Sequence, residues 1–449
     1  MNKHSDLTVG GIFQKLAFVA LPIMGTQLMQ MLYNLTDMFW LGRLSSNDVA
    51  ASGAAGMYLW LGMALLLFGR MGAEIGVSQK KGSGDIEAAN AFARNAWLLS
   101  LVLGIVYGST LAFFSKSLMS VFNIQEPYVA NASANYLHIV GFGIPAAYMS
   151  AALTGAFNGS GNSRVPFYVH ASGLIINMAL DPLMIFTFGF GIRGAAAATV
   201  LAQWIVFGLL LWAIKRHRDR PFEHIKLLTM PDRGKMRRII QWALPISLES
   251  GFFCILTMSV TRLIASFGSD ALAVHRVATQ VEALSWLVGT GFGSAVTAFM
   301  GQNFGARKWD RIFSGFRVSS AVMLAWGGVI TLILFLGGYL LFSLFLPEQE
   351  LRNMGAAYLK ILAFCQLPMC LEAVGSGMFR GIGRTVPPSS VSIGSNVLRV
   401  PFSYWLASTS LGLHGVWWGL TATAMLRGIV IYGWALLDLF YKMRGKEIH

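Results

Sequence analysis

Charged side chains are what this sequence has least of. Asp, Glu, Lys and Arg make up 12% of 449 residues while 55% are hydrophobic, against roughly a quarter charged in an ordinary soluble protein. So few charges cannot cover a surface that faces water. Apolar runs near the ~20 residues that span a bilayer recur along the whole length. Runs such as Ala96–Phe114 are apolar on every side rather than alternating, which excludes a membrane β-barrel and leaves helical spans. Cysteine is scarce too. Cys254, Cys365 and Cys370 all sit inside apolar runs, where they are expected as small buried hydrophobes rather than a disulfide framework or a metal site.

Catalytic signatures are also missing. No GxxxxGK[ST] loop is present to cradle ATP phosphates, and neither HExxH nor CxxC spacing occurs among the eight scattered histidines and three cysteines. A GxGxxG match at Gly189–Gly194 lies in a tight loop between two apolar runs with no strand before it, which removes its dinucleotide-binding meaning. No DDxxD cluster or paired histidine marks an intramembrane transferase. The chain is therefore expected not to be an enzyme and to need no cofactor, and any uphill work is expected to draw on an ion gradient.

The few charges that exist are mostly basic: 34 Lys and Arg against 20 Asp and Glu give a formal net charge of +14. Their placement speaks of topology rather than of nucleic acid, which is not expected as a partner. Twelve spans are expected near 15–42, 50–78, 92–115, 132–158, 165–190, 194–214, 239–266, 273–300, 316–346, 353–379, 388–410 and 412–440. One side of that arrangement holds 24 of the 34 Lys and Arg, whereas the loops of the other hold only Arg43, Lys116, Arg193, Arg276 and Arg352. The positive-inside rule then gives a multi-pass protein of the plasma (inner) membrane with both termini cytoplasmic. The first run, Leu16 to Leu41, is longer than a signal-peptide core and has no small-residue cleavage site behind it, so it is read as a retained span.

Compared with itself, the chain is duplicated. Ala20-Leu21-Pro22-Ile23 returns as Ala243-Leu244-Pro245-Ile246, and the same offset of 223 pairs Gln79 with Gln302 and Gly82 with Gly305. At 222, Tyr136 meets Tyr358, Gly155 meets Gly377, Gly159 meets Gly381 and Pro166 meets Pro388; at 221, Gly191 and Gly194 meet Gly412 and Gly415. Six spans is an even number, so both halves enter from the same side and the repeat is parallel. The expected organisation is an N-terminal lobe over 1–214, a basic cytoplasmic linker over 215–238 and a C-terminal lobe over 239–449. Two such lobes can expose a site to either side in turn, which favours transport over catalysis.

Ionisable residues within spans are costly and mark functional sites by default. Asp37 lies about 33 Å along its helix from Lys15, and Asp181 about 26 Å from Arg164, with Asn177 one turn before it. These three are expected to meet in the N-terminal half. Two carboxylates in one dry pocket repel, and the pair makes a natural proton-binding switch. An interfacial acid at Asp37 and a purely structural bond at Asp181 are the competing readings. Pro182 follows Asp181 directly and withholds an N–H from the carbonyl one turn back, so a kink is expected there. In the other half, Glu249, Glu282 and Glu372 form a possible cation site; their repeat partners are Thr26, Leu59 and Ser150. Arg262 and Arg399 either snorkel or pair with those acids.

The segment ALPIMGTQLMQMLYNLTDMFWLG (Ala20 to Gly42), the turn FNGSGNSRVP (Phe157 to Pro166), the stretch IINMALDPLMIF (Ile175 to Phe186) and the repeated GIGRT (Gly381 to Thr385) resemble the multidrug and toxic compound extrusion (MATE) transporters over essentially the whole chain. The branch most similar is the prokaryotic one akin to DNA-damage-inducible protein F. The resemblance implies an all-α polytopic membrane protein of 12 transmembrane helices in two six-helix lobes set in a V. It further implies a proton-responsive network made here by Tyr33, Asp37, Asn177, Asp181 and Thr199. Sodium-coupled relatives carry an acid about two turns after the proline of the seventh helix, where this chain has Phe253 and places Glu249 one turn earlier. That departure leans the coupling toward protons, with sodium ions as the alternative.

The expected function is a secondary active antiporter that exports cationic or amphipathic small molecules in exchange for protons by alternating access. Membrane lipids surround it, and a monomer is expected. The alternative is a flippase of lipid-linked oligosaccharides or lipids from the same superfamily. Such proteins carry a strongly cationic cavity, for which only Arg262 and Arg399 are at hand.

Overall fold

The structure, a computed structural model, describes residues 5–216 and 230–444 and contains no strand among them. The first half runs α1 (Ile12–Leu44), α2 (Ser46–Gly82), α3 (Ile86–Phe113), a short α4 (Ser115–Ser120), α5 (Pro127–Gly141), α6 (Ile144–Gly159), α7 (Arg164–Pro182) with a π-helical turn at Leu183–Thr187, and α8 (Gly191–Arg216). The second runs α9 (Arg233–Ala265), α10 (Ser269–Gly305), α11 (Trp309–Ser343), α12 (Gln349–Gly381), α13 (Val386–Ala407) and α14 (Leu413–Arg444).

Each of the twelve expected spans has a counterpart, with three local differences. The fourth is not one rod: α5 and α6 meet at a 49° bend. Gly141, Gly143 and Pro145 fall at the break, and they weaken helix propagation where their counterparts Ala363, Cys365 and Leu367 do not; α12 accordingly continues unbroken through them. The fifth changes at Pro182 into the π-helical turn, closed by the Phe188 N–H on the Leu183 carbonyl at 3.0 Å. The eleventh, α13, has 22 residues but is missing from the ten helices apolar enough to cross a membrane, or eleven with the bent pair. Its sequence carries Ser389, Ser392, Ser395, Asn396, Arg399 and Ser403.

Packing divides the chain into two units, one gathering Leu21–Ser247 with the stretch ending at Leu7, the other Leu248–His449 with Thr8–Ala20. The divisions fall within α1 and α9, two helices continuous through them, where the sequence suggested a division at 215–238; residues 217–229 of that linker lie outside the described residues. Just before α9, Asp232 accepts from the backbone N–H groups of Gly234 and Lys235 and pairs with the Lys235 ammonium, which holds its carboxyl below the usual range.

Within each unit the same pairs of helices pack: α2 on α3 and α6, and α7 on α8 in the first; α10 on α11 and α12, and α13 on α14 in the second. Lipid is as apolar as a protein core, so close packing rather than water exclusion holds such helices together. The duplicated glycines supply it. A Cβ on Gly159 would stand 2.4 Å from the Glu74 carbonyl oxygen, and one on Gly381 2.8 Å from that of Thr297, the repeat counterpart of Glu74. The register holds further on, since a Cβ on Gly194 would meet the Met184 oxygen at 2.5 Å and one on Gly415 the Leu406 oxygen at 2.3 Å. Residues 166–184 thus map onto 388–406 at a constant offset of 222, which places Arg399 where the first half has Asn177 and Ser403 where it has Asp181.

Candidate functional site

In the first unit, α1 brings Tyr33 and Asp37, α7 brings Asn177 and Asp181, and α8 brings Thr199 into one pocket. Tyr33 and Asp37 stand four residues apart, as do Asn177 and Asp181, so each pair shares a helix face. Asn177 and Asp181 are fully buried and Thr199 nearly so. The Asn177 Nδ2 donates to Asp181 Oδ1 at 3.2 Å, and the Thr199 hydroxyl donates to Asp37 Oδ2 at 3.4 Å. The two carboxyl groups also lie within hydrogen-bonding reach of each other. Their remaining oxygens, Asp37 Oδ1 and Asp181 Oδ2, are buried with no donor. Among the described residues no Lys, Arg or His forms an ion pair with either acid.

This is an electrostatic predicament. An ionised carboxylate accepts hydrogen bonds and donates none, so two of them facing each other repel and leave orphaned oxygens, a costly arrangement in a dry interior. One proton between them removes the repulsion and supplies the missing donor.

Sequence reasoning passed over a sixth member. Tyr136, from α5, is buried in the same pocket, where its hydroxyl acts on both carboxylates and meets Thr199. It was visible only as a repeat marker, because a tyrosine inside an apolar run raises no alarm by itself. Pro182 ends α7 at the next residue after Asp181, so the change to π-helical bonding begins directly beside the acid; such turns are frequent at functional sites.

The second unit treats its acids differently. Glu249 accepts from the Ser389 hydroxyl at 2.9 Å and faces the Arg380 guanidinium at 3.6 Å. Glu372 accepts from Arg427 Nε at 2.8 Å. Glu282 has Arg399 and Arg427 near enough to act on its charge. The three do not form a carboxylate cage: Glu249 and Glu372 each pair with an arginine, and among the described residues no group of three acids, histidines or cysteines is arranged to hold a metal ion. Arg399 is buried and donates from Nε to the Thr423 hydroxyl at 3.1 Å, whereas Arg262 is exposed. Arg427 was missed in sequence, although it lies inside the last apolar run and the rule that singles out Arg399 applies to it equally. The three cysteines are buried and free.

Comparison with known proteins fits this duplicated architecture. The MatE family profile matches twice, over residues 22–183 and 245–405, once in each half. The chain is 26% identical to the probable multidrug resistance protein NorM of Thermotoga maritima, over 97% of this chain and 93% of that one. It is 27% identical to the multidrug resistance protein PmpM of Pseudomonas aeruginosa, over 92% and 89%. Among solved structures, an outward-facing multidrug resistance MATE family transporter of the MOP superfamily superposes with a TM-score of 0.90 at 23% identity, covering 98% of this chain and 99% of the other. A MOP superfamily transporter from Pyrococcus furiosus does so with 0.91 at 23% identity, covering 98% of each. With both halves matched by one profile and the whole length matched in sequence and fold, the chain belongs to the MatE family of multidrug and toxic compound extrusion transporters.

Proposed function

We propose that this protein is a secondary antiporter of the inner membrane, with both termini cytoplasmic, that works as a monomer and exports cationic or amphipathic small molecules in exchange for protons. The observation that carries the reading is the uncompensated carboxylate pair: Asp37 and Asp181 face each other in a buried pocket with one oxygen each unpartnered and no basic residue paired to them. A cationic cargo and a proton both neutralise such a pair, and one displaces the other. In the cycle we envisage, the ionised pair holds cargo; a proton arriving from outside bridges the carboxyls, draws α1 toward α7 and releases the cargo outward. The helices that carry the acids suit movement, since α7 breaks at Pro182 and α1 makes few close backbone approaches to its neighbours. The named relatives, multidrug resistance proteins, support the cargo class. Sodium-driven exchange has less support, because two of the three glutamates of the second unit are already paired with arginines.

The test is transport in proteoliposomes loaded with a fluorescent cationic drug, imposing a pH gradient and a sodium gradient separately. Drug movement driven by the pH gradient and lost in Asp181→Asn is the expected result. Movement driven by sodium alone, or undiminished in both Asp37→Asn and Asp181→Asn, overturns the mechanism.

A further inference from the structure

The arginines at the start of α9 take no part in the pocket described above. Between Met230 and Leu244 the chain has one acid, Asp232, against four basic residues, Arg233, Lys235, Arg237 and Arg238. Asp232 and Lys235 satisfy each other. Neither Arg233 nor Arg237 forms an ion pair among the described residues. The segment that carries them is held from one side. The Asp232 N–H donates to the buried Asn95 Oδ1 of α3 at 2.9 Å. Ile239 is fully buried against Gly72 of α2, and Trp242 stacks on Phe92 of α3 at 5.5 Å between ring centres.

With Ile239 and Trp242 turned inward, the opposite face of α9 carries Arg233, Arg237, Ile240 and Leu244, spaced by four, three and four residues and all exposed. A cavity of about 390 Å³ opens on this face, lined by Pro231, Arg233, Met236, Arg237, Ile240 and Gln241. The guanidinium groups stand at the head of the helix, and the apolar side chains follow them. Leu244 continues the apolar stripe about 10 Å beyond Arg237, within the ~15 Å depth of one leaflet. Charge first and hydrocarbon after it is the order of a phospholipid from headgroup to chain. The duplication did not supply this face, since Arg233 and Arg237 correspond to Gly10 and Gln14 at the offset of 223.

We infer that this face of α9 binds one anionic phospholipid of the cytoplasmic leaflet, with the lipid phosphate between Arg233 and Arg237 and an acyl chain along Ile240 and Leu244. Two guanidinium groups one turn apart each present a planar fork that matches phosphate oxygens. A phosphatidylcholine headgroup brings its own cation against them, whereas phosphatidylglycerol brings none, and basic residues beside a membrane span favour anionic lipid. Only the choice of leaflet rests on the orientation proposed above; the site needs nothing of the exporter reading.

The test is lipid retention by the purified full-length protein in detergent, read by native mass spectrometry with dioleoyl phosphatidylglycerol or dioleoyl phosphatidylcholine added. The wild type is expected to retain phosphatidylglycerol more tightly. Arg233→Gln combined with Arg237→Gln is expected to weaken phosphatidylglycerol about tenfold, the worth of a charge-assisted bond, and to leave phosphatidylcholine unchanged. Arg238→Gln removes the same charge one residue away, outside the cavity lining, and is expected to change neither. Glycerol 3-phosphate, a headgroup phosphate without chains, is expected not to compete. Equal retention of the two lipids by the wild type, an undiminished double variant, or an equal loss in Arg238→Gln overturns the inference. Competition by glycerol 3-phosphate overturns it too and makes the cavity a site for free phosphate esters. All of these outcomes leave the exporter reading standing.

Discussion

The two halves of this chain began as one sequence and now handle buried charge in opposite ways. In the first, Asp37 and Asp181 are left without a basic partner, and neutral donors from Asn177 and Thr199 meet only some of their oxygens. In the second, Glu249 and Glu372 are paired with Arg380 and Arg427, and Glu282 lies within the field of Arg399 and Arg427. An uncompensated pair of buried carboxylates leaves a demand for positive charge, which a carboxylate paired with a guanidinium does not. Two positions of one helix carry much of the difference, since the Asn and Asp of α7 are replaced by Arg and Ser on α13. Duplication supplied the scaffold, and substitution at a few buried positions divided the labour.

The largest effect expected from breaking this contrast is at Asp181. Asp181→Asn removes one carboxylate of the proposed proton-sharing pair while keeping volume and one hydrogen-bonding arm, so proton-driven drug export is expected to fall to the rate of empty liposomes. Thermal stability should not fall, because one of two repelling groups has gone. A variant that loses export together with its melting transition would mark Asp181 as structural instead.

The mirror experiment in the second unit should invert that pattern. Glu372→Gln strands Arg427, which is 8% exposed, and removing one partner of a buried ion pair costs about 3–5 kcal/mol. The melting temperature is expected to drop, and the double variant Glu372→Gln with Arg427→Gln is expected to recover much of the loss. A single variant as stable as the wild type would show that the pair is already screened, and the contrast between the halves would weaken.

How much of this was legible in the sequence depended on whether a residue broke a pattern. Spans, repeat and the group of Asp37, Asn177 and Asp181 were readable because a carboxylate within an apolar run is rare, and because the repeated Gly, Pro and Tyr positions kept their register; Tyr33 and Thr199 came only with the family resemblance. The bend between α5 and α6 was less legible, since Gly141, Gly143 and Pro145 are each tolerated in membrane helices and only their cluster breaks one. The pairing of Glu372 with Arg427 was invisible because the partners are 55 residues apart in sequence and only the packing of α12 on α14 joins them. The polar face of α13 was hidden by its own moderation: serines at every third or fourth position lower the hydropathy of the run without interrupting it.

A smaller effect tests whether the halves still share their packing. Gly159→Val and Gly381→Val each push a side chain into a carbonyl of the neighbouring helix, at 2.4 Å and 2.8 Å from the new Cβ. Overpacking of this kind costs about 1–3 kcal/mol. Both variants are expected to lower the melting temperature by similar amounts, read by thermal unfolding in detergent. A large loss in one with none in the other would mean that the helix crossings have diverged along with the charges.

The smallest change, a single oxygen, asks whether the conserved scaffold serves the divergent chemistry. Tyr136 and Tyr358 are repeat counterparts; the first lies by Asp37, Asp181 and Thr199, and the second shares a hydrogen bond with His275 at 3.2 Å and stacks on Trp417 at 4.6 Å between ring centres. Tyr136→Phe keeps the ring and deletes the hydroxyl beside Thr199 and the carboxyl pair. Loss of one neutral hydrogen bond is worth about 1 kcal/mol, so pH-driven transport should slow about fivefold while the maximum of its pH profile moves, which a merely structural tyrosine would not cause. Tyr358→Phe loses one neutral bond, about 1 kcal/mol, and its signature should be a small drop in melting temperature without a moved pH profile. If both variants behave alike, the tyrosine is a packing relic of the duplication, and the pocket ends at the three residues, Tyr33, Asn177 and Thr199, that Asp37 and Asp181 gather around them.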